Sequence, residues 1–99
     1  MLIVCRDKVI DLSKFDTVRC KEILVQAGEL DEYFYPVEAI RQESGGQGNV
    51  ITISEEIIRF KEKDVAEEFI NLIVTKWVAG TEAFNVMEKY NRENNLWRL

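Results

Sequence analysis

The chain has no histidine. A Ser–His–Asp or Cys–His nucleophile–base pair is therefore excluded within it, and the commonest neutral metal ligand is missing. It has two cysteines, Cys5 and Cys20. Two thiols without histidine make a poor zinc site, so no metal, no cofactor and no catalytic residue is expected. One proline (Pro36) and five glycines in 99 residues leave little room for a flexible linker. No apolar run approaches the roughly 20 residues of a membrane-spanning helix. The first residues, Met1–Cys5, are apolar but stop at Arg6-Asp7-Lys8, far short of the apolar core of an export signal. The expected compartment is accordingly the reducing cytoplasm, with both thiols free and packed as small hydrophobes.

A basic excess is missing too. Formal charge is −5, and the imbalance sits in residues 25–60, where seven acids face only Arg41 and Arg59. An acidic surface repels phosphate backbones and anionic lipid, so neither nucleic acid nor a membrane is expected as a partner. Lys14, Arg19 and Lys21 come nearest to a basic patch.

What the chain does have is apolar content of 46% with ten aromatics, enough for one folded domain over residues 1–99. Residues 1–60 are rich in short β-like runs. Leu2–Cys5 and Val9–Leu12 are short strands joined by a polar turn, the start of a meander. In 15–27 the apolar positions change parity near Lys21-Glu22, which predicts a bulge or a break into two strands. Residues 28–32 form an acidic loop, with Leu30 the one side chain expected to tuck inward. Residues 33–41 alternate, with Tyr33, Tyr35, Val37 and Ala39 on one face. Pro36 cannot donate a ladder hydrogen bond, which puts this strand at an edge or beside a bulge.

Ser44-Gly45-Gly46-Gln47-Gly48-Asn49 predicts a loop between strands. A phosphate-binding loop would need Lys-Ser or Lys-Thr after its last glycine and then a helix; Asn49-Val50-Ile51 offers neither. Val50–Ile53 and Glu56–Phe60 are strands flanking a tight turn at Ser54-Glu55. A helix beginning at Ser54 is the rival, and the β-branched content favours strand.

Residues 64–80 predict the main helix. Ala66, Phe69, Ile70, Ile73 and Trp77 recur at spacings of three and four, Asp64 can cap or begin it, and Gly80 ends it. Residues 81–99 predict a short helix carrying Phe84, Met87 and Tyr90, then a polar break, then the apolar tail Leu96-Trp97-Arg98-Leu99.

The order of these pieces over residues 1–80 resembles small bacterial and phage proteins similar to pleckstrin-homology-like β-barrels closed by one helix. The resemblance rests on Val9-Ile10-Asp11-Leu12, Ile57-Ile58-Arg59-Phe60, and a helix with Ala66 near its start and Gly80 at its end. It implies a binding scaffold, and no catalytic residue carries over from it.

The expected fold is thus α+β: a small antiparallel, curled or barrel-like meander of five to seven strands, capped by the C-terminal helix, with a short terminal helix beyond. The expected function is a non-enzymatic binding or assembly module for protein–protein interaction; the alternative is a small enzyme or enzyme accessory using acidic residues of the β-rich region. Phe84, Met87, Leu96, Trp97 and Leu99 are the candidate partner-binding residues. Either they serve a homodimer, or the tail docks on its own domain.

Overall fold

In the computed structural model, which describes residues 1–90 and 95–97, the chain runs β1 (Leu2–Val4), β2 (Val9–Asp11), β3 (Thr17–Cys20), β4 (Ile23–Ala27), β5 (Leu30–Ser44), β6 (Val50–Phe60), α1 (Lys63–Val78) and β7 (Ala83–Asn85). Short 3-10 turns occupy Leu12–Lys14, Gly46–Gly48 and Val86–Glu88. The fold is α+β, in two sheets that do not close into a barrel. One sheet has the order β2-β1-β7; in the other β5 is central, with β6 along one side and β3 and β4 along the other.

The parity change near Lys21-Glu22 is a break into two strands. β3 pairs with Val37–Ile40 of β5, and β4 with Leu30–Phe34. Pro36 falls opposite the gap between them. Its carbonyl accepts from the Lys21 N–H at 3.0 Å, so its ring nitrogen also faces that gap, where no ladder donor is required. On its other side the β5–β6 register slips between Val37 and Glu38. The strand carrying Pro36 is therefore beside a bulge, as expected, yet central in its sheet and not at an edge. Leu30 does not tuck inward: it stands 77% exposed beside the turn from β4 to β5.

No turn interrupts β6. Val37 faces Ile58 while Glu38 faces Glu56, which leaves Ile57 as the extra residue of a bulge. The bulge, and not a turn at Ser54-Glu55, produces the parity change between Ile51-Ile53 and Ile58-Phe60. It also turns both neighbours, Ile57 and Ile58, into the core. The glycine loop is a hairpin connection, with Gln47 at φ 62° and Gly48 at φ 80°.

α1 lies where the stripe places it. Ala66, Phe69 and Ile73 are fully buried against the sheet, and Ile70 and Trp77 are partly so. Glu62 is the N-cap residue without a side-chain cap bond, and Asp64 sits in the first turn, where its charge suits the helix dipole. The helix ends in a Schellman motif: Gly80, at φ 78°, donates to the Trp77 carbonyl, and Thr81 to that of Lys76.

Beyond Gly80 the chain departs from expectation. In place of a short helix over 82–91 it forms β7, parallel to β1, and then the 3-10 turn Val86–Glu88. The spacing of three in Phe84, Met87 and Tyr90 suits a 3-10 turn as well as a helix. Pairing with β1 decides the outcome, beginning with the Leu2 N–H donated to the Glu82 carbonyl at 2.8 Å. The Asn85 side chain caps the turn by accepting from Met87 N–H at 3.1 Å. The core joins both sheets to α1 through Ile3, Ile10, Val37, Ile58, Phe60, Phe69, Val86 and Leu96.

Candidate functional site

The tail residues dock on their own chain. Asn95–Trp97 runs antiparallel to the end of β6: Lys61 N–H donates to the Asn95 carbonyl at 3.0 Å, and Trp97 N–H to that of Arg59 at 3.1 Å. Successive residues of an extended segment point to opposite faces. Leu96 enters the core at 0% exposure, while Trp97 covers the other face of the sheet at 7%. There its ring stacks on Phe34, centroids 4.0 Å apart and 8° from parallel. Its indole N–H donates to Glu32 Oε1 at 2.9 Å. The Arg59 guanidinium lies within about 6 Å of both rings.

Phe84 and Met87 are partly buried against the core, and the Lys76 ammonium lies 5.5 Å from the Phe84 ring centroid. Leu99 lies outside the described residues. Of the five candidate partner-binding residues, the four that are described thus pack within the chain: Leu96 and Trp97 on the β6 end, Phe84 and Met87 on the three-stranded sheet and the turn after it.

An open cleft of about 480 Å³, which the sequence reading missed, lies between the β1–β2 turn, the β6 bulge and the Val86-Met87 turn. Its apolar lining comes from Ile57, Ile58, Val86 and Met87, with charged side chains from Arg6, Asp7, Lys8, Glu56 and Arg59. The signal for it was present in the adjacent pair Ile57-Ile58, since two neighbouring apolar residues in an alternating strand mark a bulge, and bulges recur beside sites. Of the cleft's two carboxylates, Asp7 and Glu56, the latter accepts from Arg59 Nε through both oxygens at 2.8 Å. The Cys5 thiol lining it is pushed up to about 11, chiefly by burial. It is therefore a protonated thiol near neutrality and a weak nucleophile. Cys20, too, has its thiol pKa raised, first by burial and then by the nearby Glu67. Both cysteines are free.

Among the described residues no group of three or more His, Cys, Asp or Glu side chains could hold a metal ion. None of their helices is long and apolar enough to cross a membrane. The basic trio does not form a free patch, because Arg19 and Lys21 both lie against Glu38, at 3.5 and 3.3 Å.

The second candidate is the outer edge of β6. Among the described residues β6 pairs only with β5, apart from the contact with the tail near Phe60. Its first five residues, Val-Ile-Thr-Ile-Ser, carry no charge. Val50 is 65% and Ile51 52% exposed. Natural sheets usually blunt such an edge with lysine, proline or an inward charge, and none stands here. No family model matches the chain, and neither a curated protein nor a solved structure does.

Proposed function

We propose that this chain is a non-enzymatic binding or assembly module, acting in the cytoplasm, that engages protein through the outer edge of β6. The observation that carries the reading is that edge: an uncharged, β-branched stretch, Val50–Ser54, paired on one side only among the described residues. An extended peptide added there would gain main-chain hydrogen bonds, with alternate side chains supplying specificity. A binding role is favoured over an enzymatic one by the state of the cleft, where Cys5 is held protonated and Glu56 is paired with Arg59. The resemblance of residues 1–80 to pleckstrin-homology-like scaffolds points the same way. Two free thiols suit a reducing compartment.

The test is selection of a displayed random-peptide library on the folded chain at low surface density, followed by amide shift mapping with the enriched peptides. Peptides with alternating apolar residues that perturb the amides of Val50, Thr52 and Ser54 are the expected result. Enrichment of nothing, or shifts confined to the cleft around Cys5 and Arg59, would overturn the reading.

A further inference from the structure

We propose that the occupant of this edge is a second copy of the chain, paired antiparallel along Val50–Ser54 with the twofold axis between the two Thr52 residues. The inference rests on the reading of β6 as the binding edge and adds the partner and the register.

Backbone direction comes first. The carbonyls of Pro36 and Ile40 accept from Lys21 and Asp16 on the β3 side of β5. Even-numbered β5 residues in this stretch therefore bond toward β3, and odd-numbered ones toward β6. Arg41 and Glu43 are in register with Ile53 and Ile51. Val50, Thr52 and Ser54 are left with N–H and C=O groups directed outward. An antiparallel twofold centred on Thr52 places Thr52 opposite its own copy and Val50 opposite Ser54 of the second copy. Each such pair exchanges both of its hydrogen bonds. The same register sets Ile51 against Ile53 of the second copy at the non-hydrogen-bonded positions, where cross-strand side chains approach most closely. Glu55 then meets Asn49, so no like charges face each other across the new ladder.

Charge selects this edge over the others. Residues 41–54 contain only Arg41 and Glu43 as charged groups, and those two pair with each other at 3.0 Å. Residues 22–32, which include β4, also offer an apolar edge, but they carry Glu22, Glu29, Asp31 and Glu32 with no base. Two copies of a chain with net charge −5 would repel there and not along β6. β3 bears Arg19, and β1's flanking strands β2 and β7 have three residues each. Among the described residues the tail meets the β6 edge near Phe60, at the opposite end. Length adds a further reason. β3 pairs with β5 no farther than Ile40, so Arg41–Ser44 and Val50–Ile53 stand as a two-stranded ribbon. Such a ribbon is marginal alone in water and becomes one half of a four-stranded sheet in the dimer, with the two copies of β6 in the middle.

Sedimentation of the full chain from low to high micromolar concentration tests the association. Dimer is expected at the upper end, and Ile51→Lys or Thr52→Pro should raise its dissociation constant by at least about tenfold. Far-UV circular dichroism and an unchanged urea midpoint for Ile51→Lys, measured at low micromolar concentration where both chains are monomeric, show that the fold survives substitution at this half-exposed position. The register is tested by Thr52→Cys, which should form an intermolecular disulfide under mild oxidation, mapped by mass spectrometry to the substituted position in both chains; Ser54→Cys should not pair with itself. A monomer at high micromolar concentration overturns the dimer. So does a dimer indifferent to Ile51→Lys, or equal cross-linking at 52 and 54. If the chain is monomeric while selected peptides still map to Val50–Ser54, the self-pairing fails and the binding function stands.

Discussion

Phe69→Ala is the sharpest probe of how this fold is held together. Phe69 is 0% exposed. It belongs to a three-ring cluster, with its centroid 5.4 Å from Phe60 and 5.5 Å from Tyr90, and those two rings 5.0 Å apart. Removing a buried phenylalanine costs about 3–5 kcal/mol, from lost transfer energy plus the cavity left behind. Two aromatic contacts, worth about 0.5–1.5 kcal/mol each, place this site toward the upper end, about 4–5 kcal/mol. A domain of this size is stable by about 5–15 kcal/mol in total. In urea, with a slope of about 1.5–2 kcal/mol per molar, the midpoint should fall by about 2–3 M. Phe69→Leu keeps most of the volume and loses both ring contacts, so it should cost about 1–2 kcal/mol and remain folded for measurement. Glu68→Ala, on the exposed side of α1, should cost under about 0.5 kcal/mol. If Phe69→Leu and Phe69→Ala both match Glu68→Ala, the helix does not bury this face and the argument fails.

Trp97→Ala should cost about 3 kcal/mol in the same urea assay, because it removes a buried ring stacked on Phe34; Trp97→Phe, which loses the bond to Glu32 but keeps an aromatic, should cost about 1 kcal/mol. Equal, negligible costs would mean the tail does not dock. Gly80→Ala should cost about 1 kcal/mol by thermal melting, purely from its φ of 78°, since an added Cβ would meet nothing within 4 Å; a neutral result would argue against the Schellman ending. Burial raises the Cys5 thiol from 9.0 to about 11, so the folded state keeps a proton that the unfolded state has released across that interval. Its contribution is complete below pH 9.0 and is lost as pH rises toward about 11. Urea midpoints should fall across that range more steeply for the native chain than for Cys5→Ala, and parallel pH profiles would refute the assignment.

The parts of the fold that were legible in the sequence are those governed by local periodicity. The stripe Ala66-Phe69-Ile73 fixed the buried face of α1 because its neighbours at three and four positions have to share a surface. Gly80 marked the helix end because only a glycine takes φ 78° there without strain. The break between β3 and β4 was visible in the parity of Val18 and Cys20 against Ile23 and Val25. The misreadings share one cause: partners distant in sequence. A spacing of three in Phe84-Met87-Tyr90 is ambiguous, and the β1 strand, some eighty residues earlier, resolves it as strand and 3-10 turn. Ser54-Glu55 resembles a turn only until β5 is seen to run unbroken beside it. The candidate site suffered most, because its cleft is assembled from the β1–β2 turn, the β6 bulge and the Val86-Met87 turn, and no local pattern joins them.

The bulge at Ile57 links the closed half of this molecule to its open half. On its C-terminal side β6 is committed: Ile58 and Phe60 face the core, and the tail pairs with Arg59 and Lys61. On its N-terminal side the parity reverses, so Ile51 and Ile53 continue along a face that has run past the end of the helix-covered core. Were Ile57 paired in a regular ladder and not bulged, Ile58 and Ile53 would stand on opposite faces of the sheet. Deleting Ile57 would therefore keep both sets on their present faces in a regular ladder, removing the local bend and one buried side chain. The bulge thus absorbs the odd residue, burying Ile57 while the closed core and the exposed isoleucine-bearing edge stay on one face of a single strand.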